Sequence, residues 1–491
     1  MYDLILLLII PLAGALAVFS FSIFSSRMLK GLSFMISLIP LIWLCIENIH
    51  WIGADFNLVW LPSLSIFLHL HVDGISLIFL LLTALIIPLT ILSVDGKQLS
   101  HPNVFLGLIL LLQSFLIGFF TARDLAFFIL FFESMLIPLY FIISIWGGSG
   151  RQTAALVFLV YMIAGSCLLI AAALFLYTAQ GSHTFNLDEL AKVSQSLPHA
   201  TWIAAIFALA FAVKTPLFPF HAWLPETYYQ ASTAGTILLS ALLSKAGIYG
   251  FIRIGFELFP EILKTWSPLL LGFAIAGVLY GGLAAWMQND YKKLLAYSSF
   301  SHVNFVLAGL FIGSEVAHQG AILQAFNHGI TIAALFLVSG WLEERILTTR
   351  IGHIGGLAKF LPHLCWLTCF FVLSSIALPG TNNFIGELMI FFGLFGLNPW
   401  LTAILGLSII LSVMYMLRWM QKLYFEAPTF FQDPWKDIRW KEFMIATPLM
   451  ALILWVGLYP LPFLNILKTE SKQIAAVNIK ESDRNDTLKF H

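Results

Sequence analysis

The stretch 201–254 reads TWIAAIFALAFAVKTPLFPFHAWLPETYYQASTAGTILLSALLSKAGIYGFIRI and contains two apolar segments that each carry one lysine near the middle. A charged side chain at bilayer depth costs roughly 3 kcal/mol or more, so it faces a protein interior or a wet cavity and marks an ion path. The first lysine, Lys214, directly precedes the proline pair of TPLFP. Proline breaks a helix, and a broken helix at membrane depth is tolerated only inside protein or beside water. The stretch therefore predicts a proton or cation conduit that includes Lys214 and Lys245.

The composition predicts an all-α polytopic membrane protein. Hydrophobic residues make up 60% of the 491 residues, charged residues only 10%, and the mean hydropathy is +0.92. Apolar runs recur along the chain, each long enough to cross a hydrocarbon core about 30 Å thick. The predicted spans are 3–23, 31–49, 74–94, 103–121, 124–146, 153–178, 201–223, 233–255, 267–288, 292–313, 318–341, 363–397, 399–421 and 441–465.

The sequence contains no signature of a bound cofactor. The formal net charge is zero, which gives no indication of nucleic acid, and there is no dinucleotide fingerprint, Walker loop or iron–sulfur cysteine spacing. Cys365 and Cys369 are one helical turn apart, but small buried hydrophobic residues are far commoner than a metal or redox pair. We therefore expect no redox cofactor and no metal in this chain.

Basic residues predict the orientation of the chain. The first span lacks the basic start and cleavage site of a signal peptide, so it is predicted to be retained. Lysine and arginine are concentrated in loops after odd-numbered spans, which places those loops in the cytoplasm and the N-terminus outside. Those residues are Arg27, Lys30, Lys97, Arg151, Lys292, Lys293, Arg345, Arg350, Lys359, Arg418, Lys422, Lys436, Arg439 and Lys441. Loops after even-numbered spans contain only Arg123, Lys192, Arg253 and Lys264, although the basic tail after Lys468 opposes the trend.

A second interrupted segment, ALPGTNNFIGE at 377–387, lies five spans after the first and carries its own carboxylate, Glu387. Spans four to eight and nine to thirteen are therefore predicted to be two five-helix repeats of opposite topology. Paired interrupted segments indicate a transport site near the midplane. The predicted segments are a three-helix segment with a small extramembrane hairpin over 56–72 (1–102), the two repeats (103–258 and 259–422), and the last span with a polar tail (423–491).

Glu133 stands alone in the strongly apolar fifth span. A buried carboxylate without a partner becomes neutral, whereas a lysine partner keeps it charged, and Lys214 is the natural candidate. Such a pair titrates as a unit, so that separating the partners would push a proton off the lysine. The alternative is a fixed ion pair that only tethers two helices.

His302 and His328 lie about ten residues into consecutive spans, a depth that crosses about half of a twenty-residue span. Histidine titrates near neutral pH and can pass protons, although a lone buried histidine is more often a hydrogen-bonded packing residue. His221, two residues after Pro219, is predicted to line the first break.

Several other polar groups are interpreted as structural. The cluster of Asp290, Lys292 and Lys293 is explained by capping and topology at a cytoplasmic helix start. The charged run of 343–345 is predicted to be a solvated helix end, and Asp73 is predicted to be an N-terminal cap.

At these residues the sequence resembles the antiporter-like proton-pumping subunits of respiratory complex I, most closely chain M of bacterial NADH:quinone oxidoreductase, the counterpart of mitochondrial subunit 4. The resemblance covers almost the whole chain. It rests on VDGISL (72–77), DLAFFILFFESMLIP (124–138), KTPLFPFHAWLPE (214–226), TAGTILLSALLSKAGIYGFIR (233–253), DYKKLLAYSSFSHV (290–303), HGITIAALFLVSG (328–340), GGLA (355–358) and LPG…FIGE (378–387).

The resemblance implies a role for each intramembrane group. Glu133 and Lys214 would be the coupling pair, Lys245 the central relay, and Glu387 the exit-side group. His302 and His328 would continue the polar axis between them. A glutamate at position 387 favours the chain M type, since sister subunits usually carry lysine there.

Two positions depart from the family pattern. After HAWLPE the family usually continues His-x-Glu-Ala-Pro, whereas this chain has Tyr-Tyr-Gln-Ala-Ser at 228–232. We expect these residues to lie in a cytoplasmic loop, away from the proposed axis. In many bacterial relatives a lysine occupies the position of Val157.

The predicted function is therefore that of a non-redox, proton-translocating subunit of NADH:quinone oxidoreductase in the bacterial inner membrane. The resemblance implies that NADH, FMN, iron–sulfur clusters and quinone are bound elsewhere in the complex, and that the partners are other membrane subunits, including sister antiporter-like subunits. One alternative is a subunit of a multisubunit cation/proton antiporter or of a membrane-bound hydrogenase. The other is an inert scaffold whose charges only hold helices together.

Overall fold

The computed structural model of the chain describes residues 2–20, 24–94, 99–179, 183–352, 354–427 and 435–468. Over these residues the chain forms α-helices and one two-stranded sheet. The first nine helices are α1 (Tyr2–Ser20), α2 (Ser26–Glu47), α3 (Gly74–Ser93), α4 (Pro102–Thr121), α5 (Leu125–Trp146), α6 (Arg151–Ala179), α7 (Leu187–Val193), α8 (Ala200–Lys214) and α9 (Trp223–Gln230). The others are α10 (Thr233–Leu238), α11 (Ser244–Gly250), α12 (Pro260–Trp286), α13 (Tyr291–Phe311), α14 (Glu315–Ile346), α15 (Pro362–Ser375), α16 (Asn382–Phe395), α17 (Pro399–Met420) and α18 (Trp440–Leu458).

Among the described residues, 12 helical stretches are long and apolar enough to cross a membrane. They coincide with all but two of the predicted spans, although some helices begin earlier than predicted, as α12 does at Pro260. Of the two remaining predicted spans, the seventh contains the shorter helix α8 and the break that follows it, and the twelfth contains the two shorter helices α15 and α16 with a break between them. The predicted fold class, an all-α polytopic membrane protein, is confirmed.

The first break lies where Pro216 and Pro219 interrupt the apolar pattern, and the second lies where Pro379 and Gly380 do so. The first follows α8, which ends at Lys214, and the chain becomes helical again at Trp223. The second separates Ser375, the last residue of α15, from Asn382, the first of α16, and it includes Gly380 with a φ of +92°. Only glycine adopts such a left-handed backbone at no steric cost. The inverted relation of the two repeats and the four segment boundaries remain predictions.

The predicted hairpin is present as two antiparallel strands, β1 (Asp55–Leu61) and β2 (Ile66–His71). It rests on the connection between α4 and α5. The Arg123 N–H donates to the carbonyl oxygen of His69 at 2.9 Å, and the Phe67 N–H donates to the carboxylate of Asp124 at 3.2 Å. The predicted polar tail lies, after Lys468, outside the described residues.

The most deeply buried segments are Thr233–Phe256, α13 and α14, whose most apolar windows are 94% to 100% buried. By contrast, α2 and the stretch Pro399–Phe425 are only 28% buried, as expected of helices that face lipid or a partner. Lys245, His302 and His328 all lie on the buried segments. The fold therefore holds these titratable side chains in the protein interior and away from lipid.

Candidate functional site

Glu133 of α5 and Lys214 at the end of α8 form an ion pair. Lys214 Nζ lies 3.0 Å from Glu133 Oε1 and donates to Ser166 Oγ of α6 at 2.9 Å. Ser166 Oγ in turn donates to Glu133 Oε2 at 2.5 Å. The lysine side chain is fully buried, whereas 27% of the glutamate side chain is exposed. The predicted contact is confirmed, and the glutamate is the member of the pair that an event at the protein surface reaches first.

Lys245 donates its hydrogen bonds to uncharged groups. Its Nζ donates to the carbonyl oxygen of Ser240 at 2.7 Å and to Ser244 Oγ at 3.2 Å, and the residue is fully buried. The short helix α11 that carries it lies between two π-helical turns, Leu239–Leu243 and Phe251–Phe256. Such turns within helices are frequent at functional sites. Because a buried charge is expensive, the protonation of this lysine depends strongly on its neighbours.

The first break packs directly against the helix of Lys245. A Cβ added to Gly247 would lie 2.9 Å from the Cβ of Thr215, the residue that follows Lys214. Among the described residues, no hydrogen bond joins the two lysines, and the Thr215 hydroxyl is buried without a partner. A buried hydroxyl of this kind is a natural position for a bound water. The step between the two lysines therefore needs a water or a side-chain movement.

His328, His302 and Glu387 form a second cluster. The Nε2 atom of His328 lies 3.1 Å from Ser299 Oγ, and the two imidazole rings stack with centroids 5.3 Å apart. His302 Nδ1 lies 3.5 Å from Glu387 Oε1, which also accepts from Gln324 Nε2 at 3.3 Å. The structure thus brings both predicted histidines and the predicted glutamate together. Their role in proton movement stays a prediction.

Buried asparagines satisfy the backbone at both breaks, which the sequence reasoning missed. Asn304 Nδ2 donates to the Pro216 carbonyl at 3.2 Å, and its Oδ1 accepts from the Phe218 N–H at 3.3 Å. At the second break, Asn327 Nδ2 donates to the Asn382 carbonyl at 2.7 Å, and Asn382 Nδ2 donates to the Asn327 carbonyl at 3.1 Å. These contacts could have been predicted from the asparagine side chains in otherwise apolar spans, because a broken backbone in a membrane requires polar partners.

A separate cluster of charged side chains connects the start of α3, Arg123 just before α5, and the helical segment that follows Lys245. Arg253 pairs with Asp73 and, at 2.5 Å, with Glu257. Arg123 lies 2.9 Å from Glu257 and 2.5 Å from Asp188. Asp73 also accepts from the N–H of Ser76, the third residue of α3, so the predicted N-terminal cap is confirmed. Arg253, counted as a loop residue in the sequence, is in fact buried inside a helical segment.

The helix start at Asp290 is more than a cap. Its carboxylate accepts from the backbone N–H groups of Lys292 and Lys293 at 2.9 and 3.1 Å, which confirms the predicted capping. Lys292, however, is buried and donates through Nζ to the carbonyl oxygen of Ala231 at 2.9 Å. The interpretation of Lys292 as a merely topological residue is therefore wrong, because its side chain is packed against the end of α9.

The predicted solvated helix end at 343–345 is correct for two of its three residues. Glu343 and Glu344 are exposed side chains, at 43% and 52%. Arg345 instead lies 2.6 Å from Glu442 of α18, with only 9% of the arginine side chain and 3% of the glutamate side chain exposed. The prediction is wrong for Arg345 because its partner is distant in the sequence.

The Asp437 carboxylate binds the first residues of α15 through hydrogen bonds. It accepts hydrogen bonds from the backbone and ring of His363 and from the backbone of Leu364 and Ile438. Burial alone raises the pKa of Asp437, but these hydrogen bonds outweigh it and hold the pKa below its usual value.

The residues after the first break do not all lie in a loop away from the proposed axis. His221 stacks on Phe300 with ring centroids 4.4 Å apart, as expected of a residue that lines the break. Tyr228 lies on α9 and is completely buried. The prediction that 228–232 lies away from the axis is therefore wrong for Tyr228.

In the part of the chain that the structure describes, no group of three or more His, Cys, Asp and Glu side chains is arranged to bind a metal ion.

Two broken helices and a buried set of lysine, histidine and glutamate side chains define an ion-translocating membrane protein. The chain belongs to the family described as NADH:quinone oxidoreductase/Mrp antiporter, transmembrane, whose model matches residues 122–429. The resemblance found in the sequence is confirmed.

Individual relatives extend over most of the chain. It is 36% identical over 426 residues to NADH-quinone oxidoreductase subunit M of Escherichia coli K12, with 84% of this chain and 83% of that protein covered. It is 34% identical to NADH-ubiquinone oxidoreductase chain 4 of Marchantia polymorpha, with 94% and 95% covered. A chain of respiratory complex I from Thermus thermophilus has a TM-score of 0.88 at 32% identity, with 96% and 99% covered. A chain of the Mrp complex from a Dietzia species, at 20% identity, 97% and 98% coverage and a TM-score of 0.87, shows the shared fold alone.

Proposed function

We propose that this chain is a non-redox, proton-translocating membrane subunit of an NADH:quinone oxidoreductase. The observation that carries the proposal is a set of titratable groups at and between the two breaks, all of them buried except the half-buried Glu133. The Glu133–Lys214 pair lies at one end, His302 lies 3.5 Å from Glu387 at the other, and Lys245 lies on a buried segment of its own. The names of the relatives, subunit M and chain 4 of the oxidoreductase, support the same assignment.

Formation and separation of the Glu133–Lys214 ion pair control when a proton moves. Lys214 keeps its charge in the interior because Glu133 lies 3.0 Å away. Withdrawing the carboxylate leaves a buried charge uncompensated, which costs about 3–5 kcal/mol, so the lysine releases its proton. The proton then passes to Lys245, from there to the two histidines, and finally to Glu387 at the second break. Return of the carboxylate restores the proton affinity of Lys214 and resets the pair.

The energy comes from quinone reduction elsewhere in the complex. NADH, FMN, the iron–sulfur clusters and quinone bind to other subunits in this proposal, and this chain packs beside sister antiporter-like subunits. The membrane is the bacterial inner membrane with the N-terminus outside, an orientation that the concentration of lysine and arginine in alternate loops supports. The exposed edge of Glu133 is where a neighbouring subunit acts on the pair.

The test is Glu133→Gln in an otherwise intact complex, with quinone reduction and proton uptake measured together in membranes. The matched control is Glu189→Gln, a carboxylate on the exposed surface of α7. We expect both activities to fall in Glu133→Gln while the complex still assembles. Persistence of both would mean that the pair is a structural tether and would remove the proposal. Proton movement that follows a sodium gradient without quinone reduction would support a cation/proton antiporter subunit instead.

A further inference from the structure

The loop between α5 and α6 is bound by Gln230, the last residue of α9. This loop has the sequence GGSG at 147–150. The Gly148 N–H donates to the backbone carbonyl oxygen of Gln230 at 2.6 Å, and the Gly150 N–H donates to its side-chain oxygen, Oε1, at 3.0 Å. One residue of α9 therefore satisfies two backbone donors of the loop.

The loop approaches Gln230 too closely for a side chain at either of these glycines. A Cβ added to Gly148 would lie 2.9 Å from Oε1 of Gln230, and a Cβ added to Gly150 would lie 2.7 Å from its Nε2. A cleft of about 460 Å³, lined by residues that include Trp146 and Lys292, borders the same contact. Directional hydrogen bonds, and not close packing alone, therefore hold the loop on this side.

The nitrogen of the same amide is also fixed. Nε2 of Gln230 donates to Glu226 Oε1 at 2.8 Å, and Glu226 Oε2 lies 3.0 Å from Lys293 Nζ of α13. An amide nitrogen only donates and an amide oxygen only accepts, so the carboxylate of Glu226 selects the orientation in which Oε1 faces the Gly150 N–H. The amide is thereby set for the loop before the loop binds.

The other end of α9 is attached to the end of α8. Trp223, the first residue of α9, is completely buried, and its Nε1 donates at 3.2 Å to the carbonyl oxygen of Val213, the residue before Lys214. Its ring also packs against Phe158 of α6, with ring centroids 5.7 Å apart. The helix α9 therefore connects the backbone beside Lys214 to the loop between α5 and α6.

Two helices lead from this loop to the ion pair. In α5, Pro138 lies between the loop and Glu133, and proline weakens a helix by removing a backbone hydrogen bond. In α6, no proline lies between Arg151 and Ser166, which are about 22 Å apart along the helix axis. The stiffer helix, α6, thus ends its path from the loop at Ser166, whose hydroxyl accepts from Lys214 and donates to Glu133.

We propose that Gln230 is a positioning residue for the ion pair: by fixing the loop against α9, it keeps Ser166 in contact with Lys214. The inference rests on the proposed function and adds the residue that sets the geometry of the pair from the far ends of its helices. None of the described hydrogen bonds of Gln230 reaches either member of the pair, so it acts only through the helices. Release of the loop would let α6 tilt and would separate the hydroxyl from the lysine.

The experiment uses the intact complex in membranes and changes the contact from both sides. Gln230→Leu removes both hydrogen bonds of the amide at similar size, and Gly150→Ala displaces the amide from the side of the loop. Gln230→Glu alone brings two carboxylates together. Gln230→Glu combined with Glu226→Gln restores both hydrogen bonds, since the amide at position 226 then donates to the carboxylate at position 230, which still accepts from the Gly150 N–H.

The controls match each type of change. Gln288→Leu removes an amide that donates to the Ala284 carbonyl oxygen of its own helix at 3.0 Å, and Gly406→Ala adds a Cβ that meets nothing within 4 Å. NADH-driven proton uptake and quinone reduction are measured at equal amounts of complex assembled on a native gel. Backbone hydrogen exchange of the peptide that contains 147–150 reports whether the loop is released.

We expect both rates to fall about tenfold or more in Gln230→Leu, because a displacement of about 1 Å at a reacting group can cost a factor of about 10². Gly150→Ala and Gln230→Glu should lose activity in the same way, and the loop should exchange faster in all three. The double variant should recover most of the activity and the slow exchange. Both controls should match the unmodified complex.

Three results would overturn the inference. The first is normal rates in Gln230→Leu, whatever the exchange of the loop. The second is a loss of activity without faster exchange, and the third is a loss that the double variant does not recover, since the hydrogen bonds would then not be its cause. If Gln230→Leu does not assemble, Gly150→Ala and the double variant decide the question.

Glu133→Gln in the same membranes separates this inference from the proposed function. Normal pumping in Glu133→Gln would remove the proposed function itself. Loss of pumping in Glu133→Gln with normal pumping in Gln230→Leu would remove only the positioning role of Gln230.

Discussion

The side-chain amide of Asn304 donates to the carbonyl oxygen of Pro216 at 3.2 Å, across the break that follows Lys214. The same amide accepts from the N–H of Phe218 at 3.3 Å. A helix of the second predicted repeat thereby supplies both missing backbone partners of the broken helix in the first. The position of Lys214 opposite Glu133 consequently depends on a residue that contacts neither.

Replacing Asn304 with leucine should destabilise the first break. The buried Pro216 carbonyl and the partly buried Phe218 N–H lose their partner, and each unsatisfied buried group costs about 1–3 kcal/mol. We expect the purified complex to lose this subunit at a lower temperature, and proton uptake to fall because Lys214 shifts. Asn57→Leu, on the exposed strand β1, is the control. An unchanged dissociation temperature in Asn304→Leu would mean that water replaces the amide without loss.

Arg253→Met should destabilise the chain more than any change at an exposed ion pair. The arginine is buried and pairs with both Asp73 and Glu257. Removing one partner of a buried pair costs about 3–5 kcal/mol, because the remaining charge is left uncompensated. Lys293→Met is the comparison, since the pair of Lys293 with Glu226 is exposed and such pairs contribute about 0–1 kcal/mol.

The double variant Asp73→Asn with Arg253→Met provides the control for this cluster. It removes the stranded carboxylate as well, so it should assemble better than Arg253→Met alone. Subunit content and dissociation temperature of the complex are the measurements. Equal losses in the single and double variants would show that the arginine acts through packing and not through charge.

The spans and both breaks followed from the sequence because the membrane imposes local rules. A run of about twenty apolar residues has few alternatives to a spanning helix, and the prolines after Lys214 interrupt the pattern where the structure has its break. The Glu133–Lys214 contact was also predictable, because each charge stood alone in an apolar span and required a partner.

The remaining parts of the site depend on contacts between distant residues. From the local sequence, Asp73 was interpreted as a helix cap and Arg253 as a loop residue. Only the packing of the helices shows that the two side chains form an ion pair. Arg345 finds Glu442 in the same way. Tyr228 was predicted to lie in a cytoplasmic loop. The direction in which the chain leaves the first break decides that it is buried, and no local pattern encodes that direction.

Glu387→Gln should reduce proton uptake by about tenfold or more, as expected for loss of a group that exchanges protons. The amide keeps an oxygen for the hydrogen bond from Gln324, so packing is preserved, but it cannot form an ion pair with His302. Proton uptake and quinone reduction in membranes are the measurements. Glu387→Asp retains a titratable carboxylate and should retain more uptake. Equal activity of Glu387→Gln and the unmodified complex would remove this residue from the path.

The stability of the α15 start should depend on pH through Asp437. Hydrogen bonds from His363, Leu364 and Ile438 hold its pKa below the usual value, although burial alone would raise it. In the unfolded chain an aspartate titrates at about 3.9, so the stabilisation is fully present above about pH 5 and is lost as pH falls through the lower folded pKa. Asp437→Asn keeps an acceptor oxygen without the charge. Its dissociation temperature should lie below that of the unmodified complex at neutral pH, and the difference should shrink below about pH 4, whereas a constant difference across the acid range would show that the carboxylate charge contributes nothing there.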